Sequence, residues 1–256
     1  MRSVPRLFGI KDLFTTINAL GGAVALILCI EGDPYLAGLA VLFGYMFGDS
    51  IDGWVARKLG TANRFGAEYD TIADHLCQGI APGAIVYTAY LQADLGLSAA
   101  AGHALAGTLA CALMITASIR HARNTVRPVD FSGAFVGLPR SAGGQIAIAF
   151  VDAQVVTSHP EALWLGIVII PLLCWASLSY QPFLKARLPR DAPAVKFFVV
   201  AFFVTSIAVL ALWPRFIFDL ILFWFSGYAL TSWLALTGDE RRAYRAAVAS
   251  ARSQPG

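Results

Sequence analysis

The sequence predicts an all-α, polytopic membrane protein: a helical bundle of about eight transmembrane spans, a six-span core plus two. Apolar residues make up 57% of the 256 residues, charged residues only 14%, and the mean hydropathy is +0.65. Soluble domains carry about 25% charged residues, so this composition argues against a soluble protein. Apolar runs without charge recur that approach the roughly 20 residues needed to cross a bilayer. The clearest are Leu95 to Ile119, Ala162 to Leu184, Phe197 to Pro214 and Leu220 to Gly238.

The predicted elements follow one another with short polar connections. Before the first span, residues 4–13 alternate basic and apolar side chains, which is typical of a helix lying at the membrane interface. After the last span, the polar tail begins as a helix, Asp239 to Arg252. We therefore predict one transmembrane domain, 1–238, and a cytoplasmic tail, 239–256. The spans lie near residues 14–31, 35–57, 67–92, 97–120, 139–157, 162–181, 194–213 and 216–237.

The distribution of charge predicts the orientation of the bundle. Every lysine and arginine except Arg215 falls on one predicted side of the membrane, and short cytoplasmic loops are the ones rich in these residues. Both termini are therefore expected in the cytoplasm, which requires an even number of spans. The net charge of +3 comes from these loops, which can meet anionic lipid headgroups, so we expect no nucleic-acid partner.

Four aspartates are concentrated at the cytoplasmic ends of spans two and three. Asp49 and Asp52 are three residues apart, and Asp70 and Asp74 are four apart, so each pair shares one helix face. An ionisable residue within a span costs about 2.5 kcal/mol or more, which makes each a functional candidate. Facing carboxylates repel unless a cation lies between them, and oxygen ligands without His or Cys suit Mg²⁺, Mn²⁺ or Ca²⁺. The sequence predicts a divalent-metal site with room for two ions, as used in displacement at phosphorus.

Two other interpretations of the aspartates remain open. Arg57, Lys58 and Arg64 could neutralise three of them in ordinary salt bridges. A divalent-metal transporter would also carry aspartates within its spans, although such sites commonly lie near the bilayer midplane on broken helices. The predicted position at the cytoplasmic end, where a soluble head group can arrive, favours an enzyme.

The acidic segment has a long and specific pattern. It reads Asp49-Ser-Ile-Asp52-Gly53-Trp-Val-Ala56-Arg57, then eight residues, then Gly66-Ala-Glu-Tyr-Asp70-Thr-Ile-Ala-Asp74. This pattern resembles the signature of the CDP-alcohol phosphatidyltransferases, with all of its fixed positions and spacings present. The resemblance implies that region 1–238 is catalytic and that two metal ions, Mg²⁺ or Mn²⁺, are bound.

The resemblance also implies a role for each matching residue. Asp74 would contribute to the second metal ion and act as the base on the incoming hydroxyl, without a covalent enzyme intermediate. The metal ligands would be Asp49, Asp52, Asp70 and Asp74. The groups around the CDP portion of the lipid donor would be Gly53, Ala56, Arg57 and Gly66. Asn18 of span one could reach the cytidine, although the sequence is equally compatible with a helix-capping or packing role for it.

A narrower resemblance concerns the acceptor. The stretches Gly79-Ile-Ala-Pro82, Arg120-His-Ala-Arg123-Asn124 and Phe135-Val-Gly-Leu-Pro139 are similar to bacterial and archaeal phosphatidylserine synthases. This implies L-serine as acceptor, CDP-diacylglycerol or an ether analogue as donor, a homodimer and a prokaryotic cytoplasmic membrane. Arg120, Arg123 and Asn124 are the candidates for binding the serine carboxylate, although they also fit ordinary loop charge. Arg140-Ser-Ala-Gly-Gly departs from the synthase pattern, so glycerol 3-phosphate, inositol phosphate or another alcohol remains an alternative acceptor.

Overall fold

The computed structural model describes residues 8–49, 63–185 and 193–253, which are almost entirely helical. Five of their helical segments are long and apolar enough to cross a membrane. The chain is thus a polytopic helical membrane protein, and the count of eight spans and the cytoplasmic termini remain predictions. The five segments are Lys11–Glu31, Ala99–Val126, Pro160–Leu178, Val195–Leu212 and Pro214–Ala235.

The chain forms two compact units, Met1–Met114 and Ile115–Gly256. The described elements of the first unit are α1 (Ile10–Glu31), α2 (Pro34–Phe43), a π-helical segment (Gly44–Asp49), α3 (Arg64–His75), a second π-helical segment (Leu76–Ile80) and α4 (Ala81–Gln92). The helix α5 (Ala99–Val126) contains the boundary between the units. The predicted interfacial helix at 4–13 lies partly outside the described residues, and from Ile10 onward the chain already belongs to α1.

Local sequence explains where the helices of the first unit begin and end. The carboxylate of Asp12 accepts the N–H of Gly9 at 2.7 Å, which satisfies a backbone donor at the start of α1. Gly32 ends α1 with φ of 83°, a conformation that glycine adopts without strain. Asp33 caps α2, whose first residue is proline, and Asn63 caps α3. Inside this unit α1 is the common partner, because α2, α3, α4 and both π-helical segments pack against it.

The second unit continues with short strands and further helices. The two strands pair antiparallel, with Phe135 opposite Phe183. The elements are β1 (Ala134–Val136), α6 (Arg140–Asp152), α7 (Gln154–Thr157), a 3₁₀ segment (Pro160–Leu165), α8 (Gly166–Leu178), β2 (Pro182–Leu184), α9 (Pro193–Leu212), a 3₁₀ turn (Pro214–Phe216), α10 (Ile217–Thr231), a 3₁₀ turn (Ser232–Ala235) and α11 (Gly238–Ser253).

The helix α6 forms the interior of the second unit. All of its residues from Ala142 to Asp152 are buried, and α8 and α10 pack against it. The sequence predicts one span over 139–157, whereas the structure has the 13-residue α6 and a separate α7. The break is at Ala153, whose ψ of 138° is extended, and the carboxylate of Asp219 accepts the N–H groups of Gln154 and Val155 just beyond it.

In contrast to the buried α6, the helix α9 exposes large apolar side chains. Phe197, Val200, Val204 and Leu212 are exposed large apolar side chains along its length. An exposed apolar surface of this extent is unfavourable in water. It is favourable in contact with lipid tails, which are as apolar as the side chains themselves. The helix is therefore a lipid-facing span.

Candidate active site

Three of the four predicted metal ligands lie together in the first unit. Asp49 ends the first π-helical segment, and Asp70 and Asp74 lie on α3. One carboxylate oxygen of each lies within 4.8 Å of those of the other two. The fourth predicted ligand, Asp52, lies outside the described residues, as do Gly53, Ala56 and Arg57.

Two buried amides hold these carboxylates in place. The Nδ2 of Asn18 donates to Oδ1 of Asp74 at 2.8 Å. The Nε2 of Gln78 donates to the same oxygen at 3.2 Å and to Oδ2 of Asp49 at 3.1 Å. Gln78 therefore bridges the two sides of the cluster. Gln78 is not among the predicted site residues, although a glutamine one turn after Asp74 within an apolar run is itself a signal.

Close backbone contacts bring the three elements of the cluster together. A Cβ atom on Gly48 would lie 2.6 Å from the backbone nitrogen of Asn18, and one on Gly22 would lie 2.7 Å from Cα of Cys77. Real Cβ atoms do not approach so closely, so both positions require glycine. As a result α1 touches both π-helical segments, and Asn18, Asp49 and Gln78 come to the same place.

The carboxylate cluster fits a divalent cation. Two unit charges 4.8 Å apart repel by roughly 3.5 kcal/mol at an effective dielectric constant of about 20. Two amide donors offset only part of this repulsion. The Oδ1 atom of Asp70 is buried and has no hydrogen-bond partner among the described residues. Among the described residues, this group consists of carboxylates and includes neither histidine nor cysteine. Oxygen donors of this kind are the ligands that Mg²⁺ and Mn²⁺ prefer.

The structure places Gly66 against α1. Its N–H donates to Oδ1 of Asn63 at 2.7 Å, and a Cβ atom here would collide with the side chains of Lys11 and Asp12. These two form a buried ion pair, with 3.1 Å between Nζ of Lys11 and Oδ1 of Asp12. Gly66 thus allows α3 to pack closely on α1, and its predicted contact with CDP stays a prediction. The buried pair was not singled out from the sequence, where both residues belong to the expected interfacial helix.

The predicted acceptor residues lie at the end of α5, within the second unit. Arg123 donates to the backbone oxygens of Val136, Leu178 and Ser179, and its Nε donates to Oδ1 of Asn124 at 3.1 Å. These bonds tie the end of α5 to β1 and to the end of α8. Most of the donor capacity of Arg123 is thereby used within the protein.

Arg120 has more capacity for a ligand than Arg123. Its Nη2 donates to the backbone oxygens of Val136 and Gly137 at 3.2 and 3.3 Å, whereas its Nε is buried without a hydrogen-bond partner among the described residues. Arg140, the first residue of α6, lies close enough to repel Arg120 electrostatically. A concentration of guanidinium groups favours an anion such as a carboxylate or phosphate.

Comparison with known proteins gives one family and several named relatives. A family model described as CDP-alcohol phosphatidyltransferase matches residues 9–227. A CDP-diacylglycerol–serine O-phosphatidyltransferase of Methanocaldococcus jannaschii is 32% identical over 183 residues, 72% of this chain and 79% of that protein. An enzyme of the same name from Helicobacter pylori is 28% identical over 189 residues, 71% of this chain and 75% of that protein. An archaetidylserine synthase of Methanothermobacter thermautotrophicus is 33% identical over 90 residues, 34% of this chain and 38% of that protein.

Proposed function

Because this chain belongs to the CDP-alcohol phosphatidyltransferase family, we propose that it transfers a phosphatidyl group from CDP-diacylglycerol, or an ether-lipid analogue, to L-serine. The products are phosphatidylserine, or its ether analogue, and CMP. The observation that carries this proposal is the cluster of Asp49, Asp70 and Asp74 within the segment that the family model matches. The names of the relatives from M. jannaschii and H. pylori support serine as the acceptor.

The carboxylates bind the cation in this proposal. Asp49, Asp70 and Asp74, together with Asp52, hold Mg²⁺ or Mn²⁺, with two ions expected. When bound, the metal offsets the charge that develops on the CMP leaving group. Gly53, Ala56, Arg57 and Gly66 surround the CDP portion. Asn18 was expected to reach the cytidine, and its bond to Asp74 supports a second role as an orienting group.

Asp74 is the proposed base. The hydroxyl oxygen of the acceptor forms a bond to the phosphorus that carries the lipid, the bond from that phosphorus to the CMP oxygen breaks, and Asp74 takes the hydroxyl proton. Asn18 and Gln78 both donate to Oδ1 of Asp74 and fix the rotamer of its carboxylate. A base held in one orientation loses less entropy on reaching the transition state.

The acceptor carboxylate requires a cationic partner. We assign this contact to Arg120, whose buried Nε lacks a partner among the described residues. Arg123 then orients the surrounding backbone, since its hydrogen bonds join the end of α5 to the end of α8, and Asn124 accepts a hydrogen bond from Nε of Arg123. The protein acts as a homodimer in a prokaryotic cytoplasmic membrane, with its active site open to the cytoplasm and region 1–238 as its single catalytic domain.

The deciding experiment is CMP release by the purified protein with Mn²⁺ and CDP-diacylglycerol. L-serine, glycerol 3-phosphate, inositol phosphate and no acceptor are compared at equal concentration. Release that depends on serine is the expected result. Release with another alcohol instead would keep the mechanism and overturn serine. The absence of release with every acceptor and with an ether-lipid donor, together with Mn²⁺ flux into proteoliposomes, would favour the transporter.

A further inference from the structure

A cavity of about 1000 Å³ lies in the second unit, outside the carboxylate cluster. It is formed by the end of α8, the segment that follows it, the 3₁₀ turn Ser232–Ala235 and α11. The family model matches residues 9–227, so the 3₁₀ turn Ser232–Ala235 and all of α11 lie outside the matched segment. The cavity is therefore a feature that the proposed reaction does not explain.

The side chains that line the cavity are basic and aromatic. The lining contains Arg241, Arg245 and Arg252, and no carboxylate among the described residues. The two acids at the start of α11 are engaged elsewhere: Asp239 pairs with Arg242, and Glu240 accepts the N–H of Thr237 at 2.8 Å. The cavity thus presents a positive surface to any ligand that enters it.

Two of the arginines are stacked on aromatic rings. The guanidinium carbon of Arg252 lies 3.9 Å from the ring centroid of Tyr180, and that of Arg241 lies 5.3 Å from the Trp233 ring. Stacking covers the face of a guanidinium group and leaves the N–H donors on its edge, which match the oxygens of a phosphate. The Nε of Arg241 is buried without a hydrogen-bond partner among the described residues.

Packing fixes the arginines on one side of α11. Tyr244 and Val248 are buried against Ala134 and Leu236, and the hydroxyl of Tyr244 donates to the backbone oxygen of Tyr180 at 2.9 Å. Burial raises the pKa of Tyr244 to about 12, so this hydroxyl stays protonated and keeps donating at neutral pH. The three arginines lie four and seven residues apart, spacings that place them along one stripe beside the buried face.

The position of the cavity relative to the spans favours a lipid over a soluble ligand. Trp175 lies near the end of the candidate span Pro160–Leu178, and Trp233 near the end of Pro214–Ala235. Both tryptophans line the cavity, so the two spans end at the same level there. Tryptophan is enriched where a span meets the lipid headgroups, and arginines at that depth attract anionic headgroups.

We infer that this cavity binds the phosphate of an anionic phospholipid headgroup from the surrounding membrane. Arg241, Arg245 and Arg252 contact the phosphate, and the aromatic rings hold the arginines in place. Such a lipid anchors α11 to the membrane surface. The inference does not depend on which alcohol the active site uses.

The test is native mass spectrometry of the full-length protein released from nanodiscs that contain phosphatidylglycerol and phosphatidylcholine. The variant carries R241Q, R245Q and R252Q, and the control carries R242Q, which removes a charge from the same helix but not from the cavity. We expect the control to retain phosphatidylglycerol as the unaltered protein does. Each arginine near the membrane surface strengthens the binding of an anionic lipid roughly fivefold. We therefore expect the triple variant to bind phosphatidylglycerol about a hundredfold more weakly.

A double variant and a soluble-phosphate measurement complete the experiment. The double variant R241Q/R245Q leaves the stack of Arg252 on Tyr180 intact and serves if the triple variant does not fold. We expect this double variant to bind phosphatidylglycerol about 25-fold more weakly than the unaltered protein. Equal retention of phosphatidylglycerol by a folded variant and by the control would overturn the inference. Inorganic phosphate binding to the unaltered protein in detergent, lost in the variant while retention of phosphatidylglycerol is unchanged, would assign the cavity to a soluble phosphate instead.

Discussion

At the residue scale, the candidate active site depends on two amides as well as on carboxylates. Asn18 and Gln78 are buried; the side-chain nitrogen of Asn18 donates to Asp74, and that of Gln78 donates to both Asp49 and Asp74. Buried amides of this kind hold the rotamers of the groups they contact, as outer-shell partners do for metal ligands. Substitutions can therefore distinguish the amides, which position the carboxylates, from the carboxylates, which are proposed to bind the metal and take the proton.

Replacing Asp74→Asn tests the proposed base. The amide preserves the shape of the side chain but cannot take a proton, so CMP release is expected to fall by at least about 100-fold, the usual contribution of a general base. Binding of the CDP-lipid should remain within a few-fold of normal. The matched control is Asp94→Asn, because Asp94 is exposed and, in the part of the chain that the structure describes, its carboxylate accepts the N–H of the nearby Gly96 alone. Normal turnover by the Asp74 variant would remove this residue from the role of base.

Replacing Gln78→Leu tests a positioning role. Leucine fills similar space but donates no hydrogen bond to Asp49 or Asp74, so the affinity for Mn²⁺ should fall about 10- to 100-fold. Turnover at saturating Mn²⁺ should recover in part, which a purely structural defect would not allow. Gln92→Leu is the control, since Gln92 lies about 20 Å further along the same helical run at 1.5 Å per residue. Mn²⁺ titrations of turnover compare the two variants, and equal Mn²⁺ dependence would contradict the positioning role.

At the scale of elements, α1 and the two π-helical segments determine the geometry of the site. π-helical turns are rare and occur frequently at functional sites, and here one ends at Asp49 and the other contains Gln78. Gly22 and Gly48 allow these segments to touch the backbone of α1. Small residues at such contacts are how helices in membranes approach closely.

Gly48→Ala tests this contact. The added methyl group would lie 2.6 Å from the backbone nitrogen of Asn18, and such overpacking costs about 1–3 kcal/mol. We expect a lower unfolding temperature and weaker Mn²⁺ binding, because the π-helical segment that carries Asp49 must move away from α1.

Gly102→Ala is the matched control for this substitution. Gly102 also lies in a helix, but a Cβ atom there meets nothing within 4 Å. Alanine at that position should leave stability unchanged or raise it by about 0.5–1 kcal/mol. Thermal unfolding in one detergent and calorimetric Mn²⁺ titration measure both variants. Equal stability and affinity in the two would show that the contact at Gly48 is not required.

At the scale of the whole molecule, the two compact units show different ways of building a membrane protein. In the first, α1 is the shared partner of the surrounding helices, whereas in the second a buried helix, α6, occupies that place. The lipid-facing α9 has its large apolar side chains outside, the reverse of a soluble domain. The bilayer replaces water as the solvent for this surface.

The predicted orientation is tested by cysteine labelling in intact cells and in inverted vesicles. Asp94→Cys and Asp130→Cys place single exposed thiols on opposite predicted sides of the membrane. The background carries alanine at the four native cysteines, Cys29, Cys77, Cys111 and Cys174. An impermeant maleimide should label position 94 in intact cells and position 130 only in inverted vesicles. The reverse pattern would place the termini outside the cytoplasm.

The sequence by itself determined the class of the protein, the helix that carries Asp70 and Asp74, and several helix ends. Composition and apolar runs distinguish a membrane protein from a soluble one because they depend on the summed hydrophobicity of the residues and not on which residues contact one another. The spacing of Asp70 and Asp74 placed both on one helix face because a helix repeats every 3.6 residues. Caps such as Asp33 and Asn63 act on backbone groups three residues away, so they too are local.

The tertiary structure alone decided how these parts meet. Asn18 and Asp74 are 56 residues apart, and nothing local to either of them indicates their hydrogen bond. Likewise, the sequence around Arg123 indicates only a loop charge, whereas in the structure Arg123 donates to backbone oxygens at the end of α8. The arginines of α11 belong to a polar tail in the sequence, but in the structure they line a cavity together with aromatic side chains. Such contacts depend on how distant segments pack, and packing is decided by the fit of whole helix surfaces and not by the periodicity of any one segment.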